Sequence, residues 1–112
     1  MALPLEITFH ELNHSDSVTA AIRDRADKLE RLYPRLTGCR VSVESPHRQH
    51  RKGNLYEVHI EMLVPGGVLA ITHEPHHPRE KYANPDVYTT LRDAFDAAER
   101  KLLDYKDHLN GD

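Results

Sequence analysis

The side chains with the clearest capacity for chemistry in this sequence are cations. Between Glu44 and Glu57 there is no acid, yet His47, Arg48, His50, Arg51 and Lys52 all fall there. Arginine forks match phosphate oxygens and lysine adds a point charge. A solubilising loop has no need of a single sign, so this run points to an anionic partner. A second set is Arg25, Lys28 and Arg31. At 100° per residue Arg25 points close to Val18 and Leu29, where a buried stripe should be apolar, and Lys28 lies about 60° away on the same side. Arg25 either snorkels out at the stripe's edge or joins a seam presented to phosphate. Arg31 has Asp27 as a competing partner. A third set, Arg92, Arg100 and Lys101, is interleaved with Asp93, Asp96 and Glu99. Intrahelical pairs such as Asp96–Arg100 would absorb part of that charge.

Other chemistries are poorly served. The nine histidines include His73, His76 and His77 near Glu74, and the pair His47 and His50. Zinc needs about four convergent ligands, and loop histidines without cysteine or a helical His-x-x-x-His pair do not supply them. The expectation is no metal and no cofactor, with histidine protonation below neutral pH strengthening anion binding. No Gly-x-Ser-x-Gly, P-loop or dinucleotide fingerprint is present, so no catalytic residue is assigned and no small-molecule substrate is expected. Cys39 falls on the apolar face of a strand and reads as a packed thiol. Tyr82, Tyr88 and Tyr105 can stack on bases or cap a core with the hydroxyl outward. Tyr88, at a helix start, is the one to test.

These groups need a scaffold, and the length bounds it. A chain of 112 residues fits one domain, taken as 1–112 with a core at about 5–108. The apolar share is 38%, and no apolar run approaches the roughly 18 residues of a membrane span. The first residues lack the basic and apolar regions of a secretory signal. One cysteine permits no internal disulfide, which suits a reducing cytoplasm. The net charge of −3 argues against a generally basic nucleic-acid binder. Phosphate binding needs only local positive potential, because screening limits its range to about 8–10 Å.

Periodicity supplies the elements. Leu5, Ile7 and Phe9 alternate with polar residues, as in a strand. Ser15 or Asp16 can cap a helix over residues 17–33, whose stripe is Val18, Ile22, Ala26, Leu29 and Tyr33; Pro34 ends it. Cys39, Val41 and Val43 mark a second strand, and Tyr56, Val58, Ile60, Met62 and Val64 a third. Pro65-Gly66-Gly67 is a turn signal, and residues 68–72 return as a fourth strand. After a proline-rich loop, Asn84 or Asp86 can cap a last helix with the stripe Val87, Leu91, Ala94, Phe95, Ala98, Leu102 and Tyr105, ending near Asn110-Gly111. The order is β-α-β-β-β-α. The first three elements imply a right-handed crossover and a parallel pair. One apolar face per strand places both helices on one side. The fold class is α+β: a βαβββα two-layer sandwich with a four-stranded mixed sheet.

With this order in place, the sequence resembles the ribosome hibernation-promoting and ribosome-associated translation inhibitor family over about residues 5–108. The pieces are Ala26-Asp27-Lys28-Leu29-Glu30-Arg31, Val64-Pro65-Gly66-Gly67-Val68-Leu69, Asp86-Val87-Tyr88-Thr89-Thr90-Leu91 and Ala98-Glu99-Arg100-Lys101-Leu102. Their order and spacing carry the resemblance. It implies the same βαβββα fold and a protein that occupies the decoding channel of the small ribosomal subunit, excluding transfer RNA and messenger RNA without chemistry. It also implies that basic residues of both helices face ribosomal RNA. Arg25 and Lys28 match the basic pair of the first helix, and Arg100 the arginine of a Lys-Leu-Glu-Arg pattern in the second. The lysine and leucine of that pattern are Ala97 and Ala98 here, the second helix is more acidic, and the loops at 46–55 and 74–85 are longer and histidine-rich. This resembles a divergent short branch lacking the C-terminal dimerisation domain of long forms, so a monomer is expected.

The RNA-contacting set is therefore Arg25, Lys28, Arg31, Arg48, Arg51, Lys52, Arg92, Arg100 and Lys101. The alternative is a protein-interaction module of the same fold that uses its open sheet face or long loops. A continuous positive strip across both helices favours RNA; a mainly acidic helical face favours a protein partner.

Overall fold

The computed structural model describes residues 3–45, 56–73 and 87–110. In chain order the elements are β1 (Leu5–His10), α1 (Asp16–Leu32), β2 (Gly38–Glu44), β3 (Glu57–Val64), β4 (Gly67–His73) and α2 (Val87–Asn110). This is the βαβββα sandwich that the periodicity implies. Sheet order follows chain order. β1 runs parallel to β2, with Ile7 opposite Val41, and the remaining pairs are antiparallel.

Local chemistry sets the boundaries. The Ser15 hydroxyl accepts from the Val18 N–H at 3.2 Å. It thereby satisfies a donor that the first helical turn leaves free, and α1 starts at Asp16, one residue before the expected start. Tyr33 leaves the helix with φ −143°, because a residue before proline is pushed out of the helical region. At the β3–β4 turn, Pro65 presets its own φ and Gly67 adopts φ +154°, which side chains other than glycine rarely tolerate. Gly67 already pairs with Val64, so β4 begins there rather than at residue 68. Gly38 starts β2 against a crowded neighbour: an added Cβ would lie 2.9 Å from the Leu63 Cδ1. The expected caps of α2, Asn84 and Asp86, lie outside the described residues.

Alternate residues of the central strands face the helices and are buried: Cys39, Val41, Val43, Val58, Ile60 and Met62. α2 lies over β3 and β4, while α1 packs on α2 and only thinly on β1. Ile22 and Leu29 of α1 and Leu91, Phe95 and Leu102 of α2 are fully buried, each contributing about 1.5–3 kcal/mol of apolar burial. The thin cover of β1 leaves Leu5, Ile7 and Phe9 half-buried. At the other end Tyr33 and Tyr105 meet edge to face with centroids 5.9 Å apart, tying the C-terminal ends of the helices together. No helix among the described residues is long and apolar enough to cross a membrane.

Candidate nucleic-acid interface

The two helices share one outer face, and each carries four lysines and arginines: Arg23, Arg25, Lys28 and Arg31 on α1, and Arg92, Arg100, Lys101 and Lys106 on α2. Spacing of three sets Arg25, Lys28 and Arg31 in a row that drifts slowly around α1. They line a shallow hollow of about 470 Å³ together with Ala21, Asp24 and Asp27. Arg25 is half-buried, consistent with the snorkelling geometry its position on the wheel implies. Arg23 sits on the opposite flank of α1. It lines, with Leu3, Leu5, Asp27, Glu30 and Arg31, a groove of about 850 Å³ beside β1. Among the described residues Arg23, Arg25 and Arg31 have no ion pair; the Asp27 partner open to Arg31 is not used. Lys28 differs. Its Nζ lies 3.3 Å from the Glu99 Oε2 on α2.

α2 spends its cations internally. Arg92 pairs with adjacent Asp93 at 3.3 Å. Lys101 is exposed, as expected, and donates to the Ala70 carbonyl of β4 at 2.9 Å. β4 is an edge strand among the described residues, and a lysine bonded to one of its carbonyls works against strand addition there. Lys106 donates to the Leu32 carbonyl at 3.1 Å, placing a cation on the negative end of the α1 dipole. On α2 Arg100 alone is exposed with neither an ion pair nor a side-chain hydrogen bond among the described residues, and the Asp96–Arg100 pair does not form. Arg48, Arg51 and Lys52 lie outside the described residues.

The helical face is thus neither a continuous positive strip nor mainly acidic. α1 balances its four cations with Asp16, Asp24, Asp27 and Glu30. α2 sets Asp93, Asp96, Glu99, Asp104 and Asp107 against its own. The exposed, unpaired positive charge is concentrated in arginines of α1, with Arg100 across the seam. Sequence reasoning missed Arg23 and Lys106. Arg23 has an acid at i+4, Asp27, so spacing reads it as half of an intrahelical pair; nothing local marks Lys106 as a cap for a helix so distant in sequence. Tyr88 is 44% exposed at the start of α2, open to a stacking partner, whereas Tyr105 is held against Tyr33. Tyr82 is outside the described residues.

The open sheet face is net acidic: among its described residues Glu6, Glu44, Glu57 and Glu61 stand against Arg40. Arg40 reaches Glu61 at 2.9 Å and Glu6 at 3.5 Å, its cross-strand neighbours on both sides. His59 Nδ1 meets the Thr72 hydroxyl at 3.1 Å. Farther along, Glu44 and Glu57 face each other across β2 and β3. With His59 they place three half-buried ligand atoms within 4.8 Å of one another, one donor short of a closed zinc site. Of the histidines first considered for metal, His73 ends β4, and His47, His50, His76 and His77 lie outside the described residues. The Cys39 thiol is buried, and desolvation pushes its pKa up to about 12. It stays protonated at neutral pH and is no nucleophile there.

Residues 5–110 match the family model described as sigma 54 modulation protein / S30EA ribosomal protein. The fold is similar to the N-terminal domain of Protein Y from Thermus thermophilus, at TM-score 0.65 and 14% identity, over 92% of this chain and 99% of that one. It is also similar to a ribosomal subunit interface protein from Coxiella burnetii, at TM-score 0.72 and 12% identity, over 93% and 98% of the two chains. At such identities the likeness establishes the fold alone. No curated protein matches the sequence.

Proposed function

Because this chain belongs to the sigma 54 modulation protein / S30EA ribosomal protein family, a family of ribosome-associated modulation factors, we propose that it is a hibernation factor that silences idle ribosomes by occupation. On this reading it acts in the cytoplasm as a monomeric single domain. It docks its helical side on ribosomal RNA in the decoding channel of the small subunit and excludes transfer RNA and messenger RNA sterically. It performs no covalent chemistry.

The observation that carries the reading is the set of arginines on α1, Arg23, Arg25 and Arg31, which have no ion pair among the described residues. A free guanidinium exchanges water for phosphate oxygens without first breaking an internal pair. Arg100 extends the set across the seam, and Arg48, Arg51 and Lys52 supply further charge on this reading. Affinity then rests on released counterions and falls steeply as salt rises. Contacts of this kind set register and orientation on folded RNA, and the shape of the channel supplies specificity.

Sedimentation through sucrose with purified small subunits, with and without transfer RNA and a messenger fragment, tests this. The expected result is comigration at low salt, loss of comigration as salt rises, and mutual exclusion with transfer RNA. Absence of comigration even at low salt sinks the proposal, and simultaneous binding with transfer RNA sinks the occlusion mechanism.

A further inference from the structure

Lys28 is the middle member of the row Arg25, Lys28 and Arg31, and it is the one whose charge is already taken. Its Nζ lies 3.3 Å from Glu99 Oε2, with the lysine side chain 52% exposed and the glutamate 19% exposed. The pairing is not a product of helical spacing. The positions three and four away from Glu99 on α2 are Phe95, Asp96, Leu102 and Leu103, none of them basic. Lys28 has an acid at i−4, Asp24, the favourable order for an intrahelical pair, yet its ion pair crosses to the other helix. Glu99 therefore finds its cation only by tertiary packing, and it does so inside the row that lines the hollow on α1.

We propose that Glu99 is a resident competitor for phosphate at the Arg25–Lys28–Arg31 row. Its carboxylate takes on Lys28 the place that a phosphodiester oxygen of bound RNA would take, and so lowers the affinity of the helical face. The inference rests on the RNA-binding reading above. A carboxylate and a phosphate oxygen are both anionic acceptors for an ammonium group, so binding through Lys28 must first break the Glu99 pair. It also leaves a half-buried carboxylate beside a polyanion. Both effects oppose association. The arginines on either side carry no such load, which makes Lys28 the position where affinity is set by an internal choice rather than by the number of cations.

The test compares small-subunit binding by the wild-type chain, Glu99→Gln, Lys28→Gln, the double variant and Asp104→Asn. Asp104 is an exposed acid of α2 with no ion pair among the described residues, so its variant reports the general effect of removing one negative charge. Circular dichroism first establishes that the variants are folded. Glu99→Gln is expected to tighten binding about two- to fivefold, the range spanned by exposed ion pairs, and to steepen the salt dependence by about 0.7–0.9 in log–log slope, one extra phosphate contact. In the Lys28→Gln background the same change is expected to give no more than Asp104→Asn. An equal gain with and without Lys28, or no gain beyond Asp104→Asn, overturns the inference while leaving the RNA reading intact. If no variant and no wild type binds subunits, the RNA reading fails and takes this inference with it.

Discussion

The two helices carry the same number of lysines and arginines and use them in opposite ways. On α1, Arg23, Arg25 and Arg31 have no ion pair among the described residues, and only Lys28 is engaged. On α2, Arg92, Lys101 and Lys106 are committed to a neighbouring acid, an edge-strand carbonyl and the end of α1, leaving Arg100. On α2 Lys101 draws its acceptor from the strand beneath, while Arg92 uses the adjacent Asp93 and Lys106 the end of α1. The helix packed thinly on β1 leaves Arg23 and Arg31 exposed and Arg25 half-buried. For Lys28, Lys101 and Lys106 cation availability is thus set by packing, and on the proposed function α1 is the binding helix and α2 the structural one.

Five variants break or sharpen this contrast. The largest effect is expected in the core of α2: Phe95→Ala should cost about 3–5 kcal/mol of stability, measured by urea unfolding, since Phe95 is fully buried. Next comes charge reversal on α1. Arg25→Glu with Arg31→Glu should weaken small-subunit binding by about 100-fold or more, since each charged hydrogen bond contributes about 1.5–3 kcal/mol. Its stability should fall by no more than about 1–2 kcal/mol, from an acid at the α1 C-terminus and like charge beside Asp27, because neither guanidinium holds an ion pair among the described residues. Equal losses from Lys101→Gln and from the α1 reversals would erase the contrast.

A smaller effect is expected at Lys106. Lys106→Met should lower stability by about 0.3–1 kcal/mol through loss of the cation at the α1 C-terminus, with subunit binding unchanged. The last prediction concerns the shared core. Burial raises the Cys39 pKa from 9.0 to about 12, so the unfolded thiol ionises at lower pH than the folded one. The stability from the buried neutral thiol is present in full below pH 9 and is lost as pH rises from there toward 12. Titrated unfolding of Cys39→Ala should therefore show a shallower alkaline decline than wild type, and iodoacetamide should not label folded wild-type protein at pH 8.

Much of the fold is legible because its signals are local. Period two in Leu5, Ile7 and Phe9, the helical stripe from Val18 to Leu29, the Ser15 cap and the Pro65-Gly66-Gly67 turn each specify an element from neighbouring residues. The candidate site was legible in residue type but not in state. Helical spacing offered Asp27 to Arg31 and Asp96 to Arg100, and neither pair forms. Of the partners that do form, Arg92–Asp93 is local and the others are tertiary: Lys28 reaches Glu99, Lys101 reaches Ala70 across 31 positions and Lys106 reaches Leu32 across 74. No periodicity encodes such contacts. They follow from which helix lies over which strand, and they decide which cations remain free.

The central claim is that α1 presents free arginines to ribosomal RNA phosphates. A structure of this chain bound to the small ribosomal subunit tests it most directly. The account predicts Arg25 and Arg31 within about 3 Å of phosphate oxygens, with Lys101 still turned to Ala70. A complex seated through the open sheet face around Arg40, with α1 exposed to solvent, would contradict it.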